Sequence, residues 1–158
     1  MVPATRADLA GEGAVLNVAS ILKNKGDRIV SALPSDSVAA VVTTLGRERI
    51  GALLVREASG RVAGVISERD IVAGLARLGA ALLQQPAAEL MTRNVIYCSP
   101  TDTIQMVMQK MTERRFRHMP VLENGKVTGI VSIGDVVKAR ISETEMEAQS
   151  LKEYIATG

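Results

Sequence analysis

The chain repeats itself once, and that duplication limits its fold more than any other feature. Gly64-Val65-Ile66-Ser67-Glu68-Arg69-Asp70-Ile71-Val72 and Gly129-Ile130-Val131-Ser132-Ile133-Gly134-Asp135-Val136-Val137 carry the same order of residue types. Pro34 and Pro100, Asp36 and Asp102, and Val38 and Ile104 are each 66 positions apart, whereas Ser67 and Ser132, and Asp70 and Asp135, are 65 apart. The second copy is therefore one residue shorter in its hairpin loop. Two copies of this length make a pseudo-symmetric pair rather than a solenoid. With 158 residues, 47% of them hydrophobic, the chain can bury one core or two small fused ones.

Residues 1–13 have no apolar period and are expected to be disordered. Residues 14–78 are expected to form the first repeat with a lead-in helix over Ala14 to Lys25, which Gly26 ends. A short strand, Ile29 to Ala32, runs into the turn at Leu33-Pro34-Ser35-Asp36, where Ser35 or Asp36 can cap the next helix. Val38, Val41, Val42 and Leu45 give that helix one apolar stripe. Ile50 to Val55 and Val62 to Ile66 read as a hairpin, followed by a helix from Asp70 to about Leu78. After a connector at 79–87, the second repeat at 88–141 runs in the same order: strand Val95 to Cys98, the helix stripe Ile104, Val107, Met108 and Met111, and the hairpin Phe116 to Leu122 with Lys126 to Val131. Its Asn124-Gly125 turn suits a tight connection with φ above zero. The tail, 142–158, has apolar residues at roughly helical spacing and is expected to be a helix that either packs on a second chain or frays.

The expected fold class is α+β: tandem β-α-β-β-α repeats packed sheet to sheet as a pseudo-twofold pair, with one merged core and two related clefts. A net charge of +2 without a basic stripe argues against a nucleic-acid or membrane-surface partner, and 2% aromatic residues supply no base-stacking platform. A single cysteine and a single histidine exclude a multi-cysteine or poly-histidine metal site and suit a reducing, cytoplasmic setting. Neither a signal peptide nor a long apolar span is evident in the sequence.

Each repeated stretch begins as a short β-branched strand and turns at its serine into a helix. Such a junction aims several free backbone N–H groups and the positive end of the helix dipole at one spot, which favours an anion. The same Ser-x-x-Asp pattern is also that of a helix cap resembling the capping box, so a purely structural role stays open.

The repeat order, the paired Gly-hydrophobic-hydrophobic-Ser-x-x-Asp stretches, the Ser99-Pro100-Thr101-Asp102 opening and Arg117-His118-Met119-Pro120-Val121 together resemble the CBS domain pair, or Bateman module, over about Val18 to Val137. The resemblance is to a free-standing bacterial pair. It implies disc-like homodimers and adenosine-containing ligands, AMP, ADP, ATP or NAD(H), in the clefts, with no cofactor required. It also implies that Ser67 with Asp70 and Ser132 with Asp135 hold ribose and phosphate. A carboxylate only accepts, so it can take both hydroxyls of a ribose diol. Arg117 and His118 would meet phosphate or base, although His118 reads equally as a partly buried structural residue. Pro120, Tyr97 and Ser99 would wall the second cleft, and Ser31 the first. Gly51 and Ala52 stand where the second repeat has Arg117 and His118, and Arg69 stands where it has Gly134, so the clefts should differ.

Catalysis has little support. Cys98 lies in an expected buried strand without an evident base, and Met106, Met108 and Met111 read as core filling. The expected function is a non-catalytic regulatory sensor of adenine nucleotides, acting on itself or on an unidentified regulated protein. The alternative is a dimeric interaction or scaffold module that binds no nucleotide.

Overall fold

A computed structural model describes residues 16–26 and 28–157; the expected disordered segment and the first two residues of the expected lead-in helix lie outside the described residues. The lead-in helix, α1 (Val18–Lys25), starts at Asn17, whose side chain accepts from the Ser20 amide, and ends at Gly26, where φ is 91°. β1 (Ser31–Ala32), α2 (Val38–Glu48), β2 (Ala52–Arg56), β3 (Val62–Ser67) and α3 (Glu68–Leu78) make the first repeat. A 3₁₀ turn at Gly79–Gln84 and a one-turn helix, α4 (Ala87–Leu90), follow it. The second repeat has α5 (Ile104–Arg114), β4 (His118–Glu123), β5 (Lys126–Ser132) and α6 (Ile133–Thr157). The fold is α+β with tandem repeats.

The chain divides into two units that do not follow the order of the repeats. Residues 28–96 form one unit, while residues 16–26 join residues 97–157 in the other. The lead-in helix thus belongs with the second repeat, and α4, which leads into the second repeat, belongs with the first. The exchange is symmetric in detail. Val18 and Ala19 donate their amides to the carbonyls of Asp102 and Pro100, and Ala87 and Ala88 donate theirs to Asp36 and Pro34, the equivalent positions. The incoming segment also explains the glycine that opens each repeated stretch. A Cβ at Gly64 would lie 2.7 Å from the Thr92 carbonyl oxygen, and one at Gly129 would lie 2.6 Å from Leu22 Cδ2.

Each unit has its own buried cluster. In the first, Val41, Leu45, Leu53, Val55, Ile66 and Ile71 pack with Ala87 and Met91 of the incoming segment. In the second, Val18 and Ile21 of α1 pack with Ile104, Val107, Met111, Met119, Val121 and Val131. Met108 is only partly buried and Met106 is 46% exposed, so core filling describes Met111 and not the whole methionine stripe.

Two local expectations change. The strand Val95 to Cys98 reduces to a single parallel bridge, Cys98 to Val121, whereas β1 pairs with β2 through Ser31–Leu54 and Ala32–Val55. In the first unit the Leu54 amide donates to Val30; the equivalent donor in the second is Pro120, which has no N–H, so the ladder stops there. The helix caps are Ser37 and Thr103 rather than Ser35 or Asp36. Asp36 and its equivalent Asp102 instead accept the amides of Leu33 and Ser99 within the turn, at 2.9 Å each. The tail is helical, as its spacing suggests, and is continuous with the last helix, so that α6 runs for 25 residues. The turn at Asn124-Gly125 has the expected positive φ values, 52° and 78°.

Candidate functional site

The two junctions are built alike from the pairing of their hairpins. His118 faces Ser132 across β4 and β5, and Ala52 faces Ser67 across β2 and β3. The first helical amide then returns to the hairpin: Ile133 N–H donates to the Arg117 carbonyl at 2.8 Å, and Glu68 N–H donates to Gly51 at 2.9 Å. The third amide goes to the serine. Asp135 N–H donates to Ser132 Oγ at 3.1 Å, and Asp70 N–H to Ser67 Oγ at 3.4 Å. Two of the first three amides are thus already used by the protein, which corrects the expectation of several free donors at each junction.

The aspartates close the cap from the other side. Asp135 Oδ2 accepts from the Ser132 amide and Asp70 Oδ2 from the Ser67 amide, both at 2.9 Å. Both Ser-x-x-Asp motifs are therefore capping boxes, in which serine and aspartate satisfy each other's backbone donors. This geometry also fixes each carboxylate in one orientation at a helix N-terminus, where negative charge is favoured.

Beyond the cap the junctions differ. Asp135 Oδ2 accepts from Lys25 Nζ of α1 at 2.7 Å, and the same ammonium donates to the Ile130 carbonyl at 2.9 Å. Burial would push the Asp135 carboxyl up, but the Lys25 ammonium and the Ser132 amide outweigh it and hold the group below its ordinary value. In the first unit, Asp70 Oδ1 meets a hydroxyl from the incoming segment, Thr92 Oγ1 at 3.4 Å. The Val65 carbonyl, equivalent to that of Ile130, is satisfied by the Thr92 amide at 2.8 Å. A lysine side chain in one unit thus does what a backbone amide does in the other.

The structure brings Arg117, His118, Ser132 and Asp135 to one end of the β4–β5 hairpin. Pro120 follows His118 on the strand face opposite the core residues Met119 and Val121. Tyr97 and Ser99 flank Cys98, whose amide donates to the Pro120 carbonyl at 3.0 Å, which places them at the outer edge of that sheet. Partial burial raises the Tyr97 phenol above its ordinary value. Ser99 Oγ lies 3.2 Å from Thr101 Oγ1. In the other unit, Ser67, Arg69 and Asp70 share the first turn region of α3, with Arg69 exposed. Ser31 is apart from them: it lies on β1, with β2 between it and β3, and lines a depression of about 380 Å³ with Asp36, Arg56 and Glu57.

The residue that the sequence reading missed is Lys25. It borders a cavity of about 200 Å³ between α1 and α6 with Ser20, Asn24, Asp135 and Lys138. Nothing in its own neighbourhood points to a partner 110 positions away, but the glycine opening each repeat is a trace of the close segment that delivers it. Cys98 is buried, and loss of hydration pushes its thiol up to about 12. Among the described residues no group of histidine, cysteine and carboxylate side chains is placed to hold a metal ion, and no helix is long and apolar enough to cross a membrane.

Comparison with known proteins places this geometry in a family. Residues 18–77 and 87–142 each match the CBS domain. The mitochondrial CBS domain-containing protein CBSX3 of Arabidopsis thaliana is 31% identical over 149 residues, covering 89% of this chain and 72% of that protein. Two other relatives are matched over only 31% and 20% of their own length. A crystal structure of a CBS-domain containing protein from Agrobacterium tumefaciens is 46% identical, with a TM-score of 0.78 over 80% of this chain and 94% of that one. The CBS domain pair of protein MJ0100, solved in complex with 5′-methylthioadenosine and S-adenosyl-L-methionine, is 26% identical, with a TM-score of 0.69 over 78% of this chain and 94% of that one. The chain belongs to the CBS domain family.

Proposed function

We propose that this CBS domain pair is a regulatory, non-catalytic module that binds adenosine-containing ligands at its Ser-x-x-Asp junctions, in the class of AMP, ADP, ATP or NAD(H), and passes the occupancy on to itself as a homodimer or to a regulated protein. The observation that carries the reading is the second junction. There a carboxylate held in place by the Ser132 amide stands beside Lys25, with His118 on the adjoining strand and Arg117 just before it. Acceptor and cations at one helix N-terminus suit a ribose joined to phosphate. The adenosine ligands of the MJ0100 pair support the ligand class.

One observation favours the alternative, an interaction module without a nucleotide. Both aspartates are already engaged in capping boxes, which is reason enough for the motif. The test is a thermal-shift screen against AMP, ADP, ATP, NAD(H), S-adenosylmethionine and GTP, followed by titration of Asp135→Asn. The asparagine keeps an acceptor for the Ser132 amide and removes the charge. A hydrogen bond to a charged group contributes about 1.5–3 kcal/mol, so binding of the adenosine ligand should weaken about tenfold or more. No shift with any nucleotide at millimolar concentration, from protein shown to carry none from purification, favours the interaction module.

A further inference from the structure

The last helix carries a face that the fold does not use. Its buried residues, Val136, Ala139 and Glu143, lie on one side of its first turns. From Thr144 to Thr157 every residue except the half-buried Met146 is exposed, a projection of about 21 Å at the helical rise. A helix of this length is marginal in water by itself. A second apolar row runs roughly 130° around the helix from the buried one. Val137, Ile141, Leu151 and Ile155 stand in it at 43%, 55%, 59% and 67% exposure. With Thr144 and Ala148 between them, the spacing is four, three, four, three, four, the seam of a coiled coil with Ile141, Ala148 and Ile155 at a and Val137, Thr144 and Leu151 at d.

We propose that α6 pairs with α6 of a second copy of this chain as a parallel two-stranded coiled coil. The charges beside the seam choose both the partner and its direction. In a parallel pair, each g residue faces the e residue five positions on in the other helix. Arg140 then faces Glu145 of the second copy, and Glu147 faces its Lys152, attractive on both sides of the dyad. Run antiparallel with the same layers, the helices oppose Lys138 to Lys152, Glu145 to Glu145 and Glu147 to Glu147, all repulsive. Isoleucine at two of the three a positions and leucine at one d position suit two strands. Within its own helix Arg140 pairs with Glu143 at 3.0 Å and lies 3.8 Å from Glu147, both through one guanidinium nitrogen, so its planar fork has donors left for a carboxylate of the second helix. The inference does not depend on nucleotide binding.

The test uses Leu151→Cys in the full-length protein under mild oxidation, with Ser150→Cys, one position outside the seam, as its control. Cys98 is buried and stays out of the reaction. A parallel seam sets Leu151 against itself, so Leu151→Cys should become a disulfide-linked dimer while Ser150→Cys remains unlinked. Adding Glu147→Lys should slow the linkage about fivefold, and Lys152→Glu on top of it should restore the rate. Failure of Leu151→Cys to link, equal linking of Ser150→Cys, or preferential linking between Ile141→Cys and Leu151→Cys in a mixture would overturn the proposal.

Discussion

Replacing Lys25 with methionine keeps an unbranched side chain one atom shorter and removes its charge, which isolates how the Asp135 carboxylate is held. The ammonium makes two contacts, 2.7 Å to Asp135 Oδ2 and 2.9 Å to the Ile130 carbonyl. The side chains of the pair are 40% and 25% exposed, so water screens part of the attraction. Fully exposed pairs contribute about 0–1 kcal/mol and hydrogen bonds to a charged group about 1.5–3 kcal/mol. A half-buried pair falls between them, and Lys25→Met should destabilise by about 1–1.5 kcal/mol near neutral pH, or about 3–5 °C in melting temperature for a chain of this size. The pH dependence follows from the lowered Asp135 carboxyl. As the pH falls, the unfolded chain takes up this proton first, because the folded value lies below the ordinary 3.8. The contribution is therefore complete above about pH 5 and is lost as the pH drops through the folded value. Urea denaturation of the wild type, Lys25→Met, Asp135→Asn and the double variant at pH 7 should give a coupling of about 1 kcal/mol that shrinks toward pH 3. Additive single effects at pH 7, or a Lys25→Met effect of the same size at both pH values, would refute the reasoning.

The paired glycines should respond unequally to alanine. At Gly64 the new Cβ meets the Thr92 carbonyl oxygen at 2.7 Å, a backbone atom that is itself bonded to the Val65 amide, so Gly64→Ala should destabilise by about 2–3 kcal/mol. At Gly129 it meets the movable end of Leu22, and Gly129→Ala should destabilise by about 1 kcal/mol or less after the gain in chain entropy. Urea denaturation showing the reverse order would contradict the packing described for the two incoming segments. The Cys98 thiol, pushed up to about 12, should be inert toward Ellman's reagent at pH 8 in the folded protein and release one equivalent on unfolding. Labelling of the native protein within minutes would show that the burial is wrong.

Patterns that depend on neighbouring residues are legible in the sequence. The 3.6-residue stripes at Val38 and Ile104, the Asn124-Gly125 turn and the two Ser-x-x-Asp junctions are all set by contacts within a few positions. What the sequence hides depends on partners far away. Val95 to Cys98 has a strand-like composition, yet its ladder needs a donor at position 120, and a proline stands there. The spacing within α1 shows which face is apolar but not which repeat will cover it, so the exchange of leading segments cannot be read from it. The capping geometry is among the readings that the motif allows, and it is what both junctions contain.

Duplication followed by exchange also explains why two nearly identical motifs hold their charges differently. The local sequence fixes each capping box, but the group that completes it arrives from a segment outside the unit's own repeat. The first junction receives Thr92, with a backbone amide for the Val65 carbonyl and a hydroxyl for Asp70. The second receives Lys25, with one ammonium for both the Ile130 carbonyl and Asp135. The incoming segment thus brings a full charge to the carboxylate of the second junction and a neutral donor to that of the first, where the added cation is Arg69 on the helix itself. On the proposed function, a ribose at Asp135 must share its acceptor with an ammonium that a phosphate would also attract, whereas a ribose at Asp70 competes with the Thr92 hydroxyl. Removal of Lys25 should therefore alter nucleotide binding at the second junction and leave the first unchanged. Titration of Lys25→Met, in which one class of sites moves and the other does not, separates the two; a uniform change across all sites would mean that the incoming segments do not set the difference.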